Sequence, residues 1–184
     1  HSAHQWTGAA HQHELPAPAS TVELVSLAPM RRITRFEPAD LTCSVEPGLP
    51  RAELDAALRA HRLRLPCARE PGTIGGAFAA GRRALPDAPG PLGSVGQRAV
   101  LLGIRGVLAE GRAFRAGASV VKSVAGFDLQ KLFIGSRGRL FAVTELHLRL
   151  RPAPIAEVGF ALAGLELDDA LARLNRVHRA LEIL

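Results

Sequence analysis

The sequence predicts an α+β fold. Short strand-like alternations are interspersed with short helical stripes instead of alternating with them regularly. An apolar content of 47% against 22% charged residues supports a packed core. A length of 184 residues suits one domain and a piece of another, and no internal repeat is visible.

Residues 1–20, rich in His, Ala, Pro and Gln, read as an irregular loop. The histidines His1, His4, His11 and His13 have no fixed spacing, and no metal site is expected from them. Residues 21–27 (TVELVSL) and 32–36 read as strands. Leu41, Cys43 and Val45 alternate with Thr42, Ser44 and Glu46, a half-buried strand closed by Pro47-Gly48. Pro50 opens a helix where its missing N–H is harmless. Leu54, Ala57, Leu58 and His61 line one face of it, and it gives out near Leu63.

Residues 66–96 are dominated by Gly and Pro, and a stretch of this length with little regular structure is usually functional. Residues 100–109 form an apolar run expected to be a central strand. Glu110-Gly111-Arg112 turns it into a second strand over 113–116. Residues 128–134 predict a short helix with Asp128 as its cap, Leu129, Leu132 and Phe133 inward, and Gly135 as its stop. Residues 140–150 follow as a strand, with Leu146, Leu148 and Leu150 on one side. Glu145, His147, Arg149 and Arg151 lie on the other, as surface residues and not as an acid–base pair. Pro152 and Pro154 then mark a domain boundary. Beyond it, 157–163 read as a strand and 166–183 as a helix whose acids lie at its start and arginines at its end.

Basic residues exceed acidic ones by 23 to 17, for a formal charge of +6. Only Lys122 and Lys131 are lysines. The arginines, Arg51 among them, are scattered over a solvated surface, and aromatics are only 4%. That pattern argues against a nucleic-acid interface. Cys43 and Cys67 stand alone and suit a reducing compartment, with Cys43 buried. No run of spanning length is present, so a cytoplasmic protein, at most peripheral to a membrane, is expected. The chain begins at His1 without Met, and an upstream segment is expected.

Three motifs carry chemistry. In residues 73–81 (TIGGAFAAG), Gly75 and Gly76 allow close backbone approach and suit a pyrophosphate, with a tight turn into a small-residue helix as the equal alternative. Residues 120–136 (VVKSVAGFDLQKLFIGS) turn at Gly126 and stop a helix at Gly135. Residues 138–145 (GRLFAVTE) are a turn into a strand whose backbone suits pairing with a flat heteroaromatic ring.

In this order, and with residues 36–58 before them, the motifs resemble the flavin domain of the vanillyl-alcohol-oxidase (PCMH) type. They lean toward the FAD-binding subunits of bacterial glycolate oxidases and their D-lactate dehydrogenase relatives. The resemblance covers about residues 21–155. It implies FAD held in extended form between two α+β subdomains. Thr73, Ile74, Gly75, Gly76, Ala79 and Gly81 would meet its flavin–ribityl and pyrophosphate region, and Gly138 and Val143 its flavin or adenine. Gly8 would be the tail of a glycine-rich pyrophosphate loop. The resemblance also implies an FAD-binding domain over 1–154, lacking its first strand–helix–strand unit, and the beginning of a cap domain over 155–184.

The related complexes oxidise a 2-hydroxy acid, glycolate, and pass electrons to an iron–sulfur subunit. The chain is expected to act as part of such a complex and to be inactive alone. It departs from the family in lacking a Gly-Gly-Gly-Thr loop and in carrying Gln97, Ser123, Phe127, Arg139 and Phe141. A flavin-fold scaffold that no longer binds FAD is the alternative, and no catalytic residue is assigned.

Overall fold

The structure, a computed structural model, describes residues 4–7, 23–67, 71–81, 96–118, 128–155, 169, 172, 173 and 176. The chain divides into two compact units, His1–Ala153 and Pro154–Leu184. In the second, Asp169, Ala172, Arg173 and Arg176 are helical and exposed. The strand expected over 157–163 lies outside the described residues.

The first unit is built on a five-stranded antiparallel sheet. In chain order its strands are β3 (Ile33–Glu37), β4 (Thr42–Val45), β6 (Leu101–Val107), β7 (Ala113–Gly117) and β8 (Ala142–Arg149). Their order across the sheet is β3-β4-β8-β6-β7. Two small sheets accompany it. One pairs β1 (His4–Thr7) with β2 (Glu23–Ser26) in parallel, and the other pairs β5 (Leu63–Arg64) with β9 (Arg151–Pro152). β1 falls in the stretch read as irregular. Its four residues have no alternation to announce it, and a parallel partner far along the chain creates the strand.

The helices are α1 (Arg51–Arg59), α2 (Ile74–Ala80) and α3 (Gln97–Val100), followed by a 3-10 helix over Leu129–Phe133. α1 begins after Pro50, carries Glu53 in its first turn and Arg59 in its last, and buries Leu54 and Leu58. Ala57, expected on that face, is exposed, and His61 lies edge-on to Phe36 at 4.7 Å. Arg51 belongs to the buried side instead of the solvated surface. It bonds Asp55 at 2.9 Å and the Leu65 carbonyl at 3.2 Å.

One apolar cluster joins α1 and α2 to the sheet. It holds Leu54, Leu58, Ile74 and Phe78 against Val45, Ile104, Leu146 and Leu148, all nearly inaccessible. Each such side chain contributes about 1.5–3 kcal/mol by leaving water. The half-buried alternation read over β4 does not hold, since all four residues are buried: Cys43 and Val45 join the apolar cluster, and Ser44 on the other face bonds the buried His147.

The 3-10 helix corrects another expectation. Leu129 and Leu132 are exposed, while Gln130 and Phe133 are buried. With three residues per turn, positions three apart share a face, so the α-helical grouping fails. Asp128 does not cap this helix; its Oδ1 accepts a hydrogen bond from Gln130 Nε2 at 2.9 Å.

Candidate functional site

The glycine-bearing segment over 73–81 is a capped helix. Thr73 is extended, and its Oγ1 accepts from the Gly76 N–H at 3.2 Å. Gly81 closes the helix in the left-handed region at φ 61°. The other early amides are engaged as well. Ile74 N–H donates to the Leu49 carbonyl at 2.9 Å, Gly75 N–H to Pro47 at 2.8 Å and Ala77 N–H to Thr73 at 3.0 Å. The anion cradle that the glycine pair suggested is therefore not formed by these amides. Gly75 answers a packing need, since a Cβ there would lie 2.5 Å from Pro47 Cβ.

The turn before β8 is fastened to this helix. Gly135 N–H donates to the Phe78 carbonyl at 3.1 Å, and Arg137 N–H to Ala79 at 2.9 Å. A Cβ on Gly81 would fall 2.4 Å from Gly135 Cα, so the Gly81 backbone must be bare where it meets this turn. Gly135, Arg137 and Gly138 all have positive φ, which turns the chain sharply into β8. Gln97 of α3 adds a third support, donating from Nε2 to the Ala77 carbonyl at 2.9 Å.

Gly75, Ala79, Gly138 and Val143 meet across an apolar crevice of about 20 Å³, joined by Pro47 and Phe141. Of the other residues singled out from the sequence, Thr73 caps the helix, Gly76 receives that cap and Gly81 packs on Gly135. Ile74 is 1% exposed and belongs to the core. Gly8 lies outside the described residues, as do Lys122, Ser123 and Phe127. Pro47 escaped the sequence reading because it looked like punctuation after a strand. Phe141 was noted only as bulky; it stacks edge-on against Phe114 at 4.9 Å.

At about 20 Å³ the crevice is far below the roughly 300 Å³ of an enclosed small-molecule pocket, so a planar ring would lie against its outer walls. Those walls suit a flavin ring system because they are apolar. The pyrophosphate would need donors other than the α2 amides.

His147 and Glu145 lie on the opposite face of β8 from Leu146 and Leu148. They are not free surface groups as expected. His147 is buried, and its Nδ1 shares a 2.7 Å hydrogen bond with Ser44 Oγ. Burial pushes the imidazole pKa down, Glu145 opposing and Arg105, Arg115 and Arg35 assisting. Its Nε2 stands 3.9 Å from Glu145 Oε2, beyond hydrogen-bond reach.

Residues 4–117 match the model of a family described as an FAD binding domain. Over 148 residues the chain is 34% identical to glycolate oxidase subunit GlcE of Escherichia coli, a match spanning 78% of this chain and 41% of that one. It is 33% identical to glycolate oxidase subunit GlcD of Bacillus subtilis, over 68% of this chain and 26% of the relative. It is 32% identical to the mitochondrial cytochrome-type D-lactate dehydrogenase of Arabidopsis thaliana, over 82% and 27% respectively. The chain thus spans about two fifths or less of the length of these relatives. Among solved structures, an alkyldihydroxyacetonephosphate synthase superposes with a TM-score of 0.63 at 17% identity, over 83% of this chain and 28% of the other. Among the described residues no helix is long and apolar enough to cross a membrane.

Proposed function

The chain belongs to the FAD binding domain family, with its PCMH-type α+β fold and FAD as cofactor, and from that premise we propose that it holds FAD for a 2-hydroxy-acid dehydrogenase of the glycolate oxidase type. The observation that carries this reading is the convergence of Gly75, Ala79, Gly138 and Val143 from distant segments onto one apolar crevice. These residues would support the flavin, with Thr73, Ile74, Gly76 and Gly81 fixing the helix that presents them. Flavin, when bound, supplies the hydride and electron chemistry, while the protein binds, orients and shields it.

The domain would work as part of a complex, with an iron–sulfur subunit taking the electrons. Leu129, Leu132 and Leu140, each more than half exposed, offer apolar surface for such an assembly. A cytoplasmic location, at most peripheral to a membrane, is part of the same proposal. The engaged amides of α2 favour one second reading, a scaffold that keeps the flavin fold without the dinucleotide.

An absorbance spectrum after incubation with FAD and desalting separates the two. Flavin bands near one equivalent are expected. A colourless protein with a folded circular dichroism spectrum would overturn FAD retention and leave the scaffold.

A further inference from the structure

The outward face of the large sheet carries a second, larger depression that the flavin reading does not use. It encloses about 410 Å³, and Arg35, Ser44, Arg105, Arg115, Glu145 and His147 contribute to its lining. None of these residues lines the apolar crevice.

The strand register explains how the face is composed. Arg35, Ser44 and His147 stand in one row across β3, β4 and β8. Glu145, Arg105 and Arg115 stand in the next, across β8, β6 and β7. Arg105 and Arg115 are thus direct cross-strand neighbours, an arrangement that works against sheet stability because like charges face each other. Glu145 offsets only part of it. Its Oε2 lies 3.2 Å from Arg105 Nε, while its Oε1 accepts from the Thr34 hydroxyl. Arg35 is bonded to Glu37 at 3.0 Å. Arg115 has no ion pair among the described residues, and its side chain is exposed. Three guanidiniums and a single carboxylate, Glu145, therefore line a concave surface together with the Ser44 hydroxyl.

Guanidinium forks match the paired oxygens of a phosphate group, and a doubly charged anion between Arg105 and Arg115 removes the repulsion that the register creates. We propose that this cleft is a binding site for a phosphate-bearing small molecule, separate from the flavin crevice. Arg115 and Arg105 grip the phosphate oxygens, and Arg35 closes the other side. The buried imidazole of His147 reports the occupant. A nearby dianion favours its protonated form, so an occupied cleft raises the pH at which His147 titrates. The groups facing that ring are Ser44 from β4, Glu145 on its own strand, Arg105 and Arg115 from β6 and β7, and Arg35 from β3.

The test uses the full chain, with inorganic phosphate as probe in isothermal titration calorimetry and the His147 ring protons followed by NMR. One phosphate per chain is expected, with the His147 titration displaced upward when phosphate is present. Arg115→Ala should weaken phosphate binding at least tenfold while the fold is kept, because the side chain is exposed and removing it relieves the opposed arginines. Arg115→Lys should retain part of the affinity. The same titration is repeated on protein saturated with FAD, where unchanged binding is expected. Absence of binding heat, an unmoved His147 titration, or wild-type affinity in Arg115→Ala would each overturn the site. Displacement of phosphate by FAD would overturn its separateness, since the cleft would then be taken by the dinucleotide's own pyrophosphate. A failure of FAD retention alone leaves the phosphate titration fully readable, so the two proposals fail independently.

Discussion

Replacing Gly75 with alanine asks whether this glycine serves packing or a ligand. The added methyl would sit 2.5 Å from Pro47 Cβ and 2.8 Å from the Pro47 carbonyl oxygen. Carbon atoms in ordinary contact are about 3.5–4.0 Å apart, so α2 must retreat by roughly 1 Å. No rotamer change relieves the clash, because backbone atoms of Pro47 are among those met. Retreat also stretches the 2.8 Å bond from Gly75 N–H to the Pro47 carbonyl. Overpacking costs about 1–3 kcal/mol and the weakened hydrogen bond about 1 kcal/mol, while alanine's helix propensity returns about 1 kcal/mol. The expected net loss is about 1–3 kcal/mol, or a fall in Tm of roughly 2–12 °C for a chain of this size. Gly76→Ala is the matched control. Its Cβ meets only the Thr73 hydroxyl, at 3.0 Å, and its stability should stay within about 0.5 kcal/mol of the parent. Urea denaturation followed by circular dichroism, without FAD, reads both. Equal stability of the two variants, with flavin retention lost in both, would refute the packing argument and return the glycine pair to a ligand role.

Two further outcomes follow from buried polar groups. Arg51→Ala removes the cation that bonds Asp55 and the Leu65 carbonyl, and should cost roughly 3 kcal/mol in urea denaturation. That is the lower end for a broken buried pair, because Asp55 keeps some solvent; a loss below about 0.5 kcal/mol would show that water replaces the guanidinium. The folded pKa of His147 is held below its ordinary 6.5, so the unfolded chain takes up the proton first. The His147 contribution is complete above that value and is lost as the pH falls toward the folded pKa. His147→Gln should therefore flatten the fall in stability as the pH drops through 6.5, and an unchanged slope would exclude the imidazole as its source.

Features set by near neighbours were legible in the sequence. The stop at Gly135, the hairpin at Gly111 and the leucine face of β8 each depend on residues within a few positions. Their conformational demands are visible in residue type alone. The three motifs also identified the family and its cofactor, because their order and composition carry the signature even where the contacts do not. The sequence reading fell short where the partner was remote. It left the glycine pair open between a ligand cradle and a tight turn into a helix, because nothing local announces that the Pro47 turn, from before α1, packs against Gly75.

By itself, the sequence determined an α+β flavin-family domain, the hairpin at Gly111, the start of α1 after Pro50 and the leucine face of β8. Tertiary structure alone decided that β1 is a strand, that His147 and Arg51 are buried, and that Arg105 faces Arg115. It also decided which face of the 3-10 helix is dry and which candidate glycines meet at the crevice. The reason is physical: strand partners, burial and charge juxtaposition are set by segments that fold together from distant places in the chain. Periodicity records only what each segment prefers on its own.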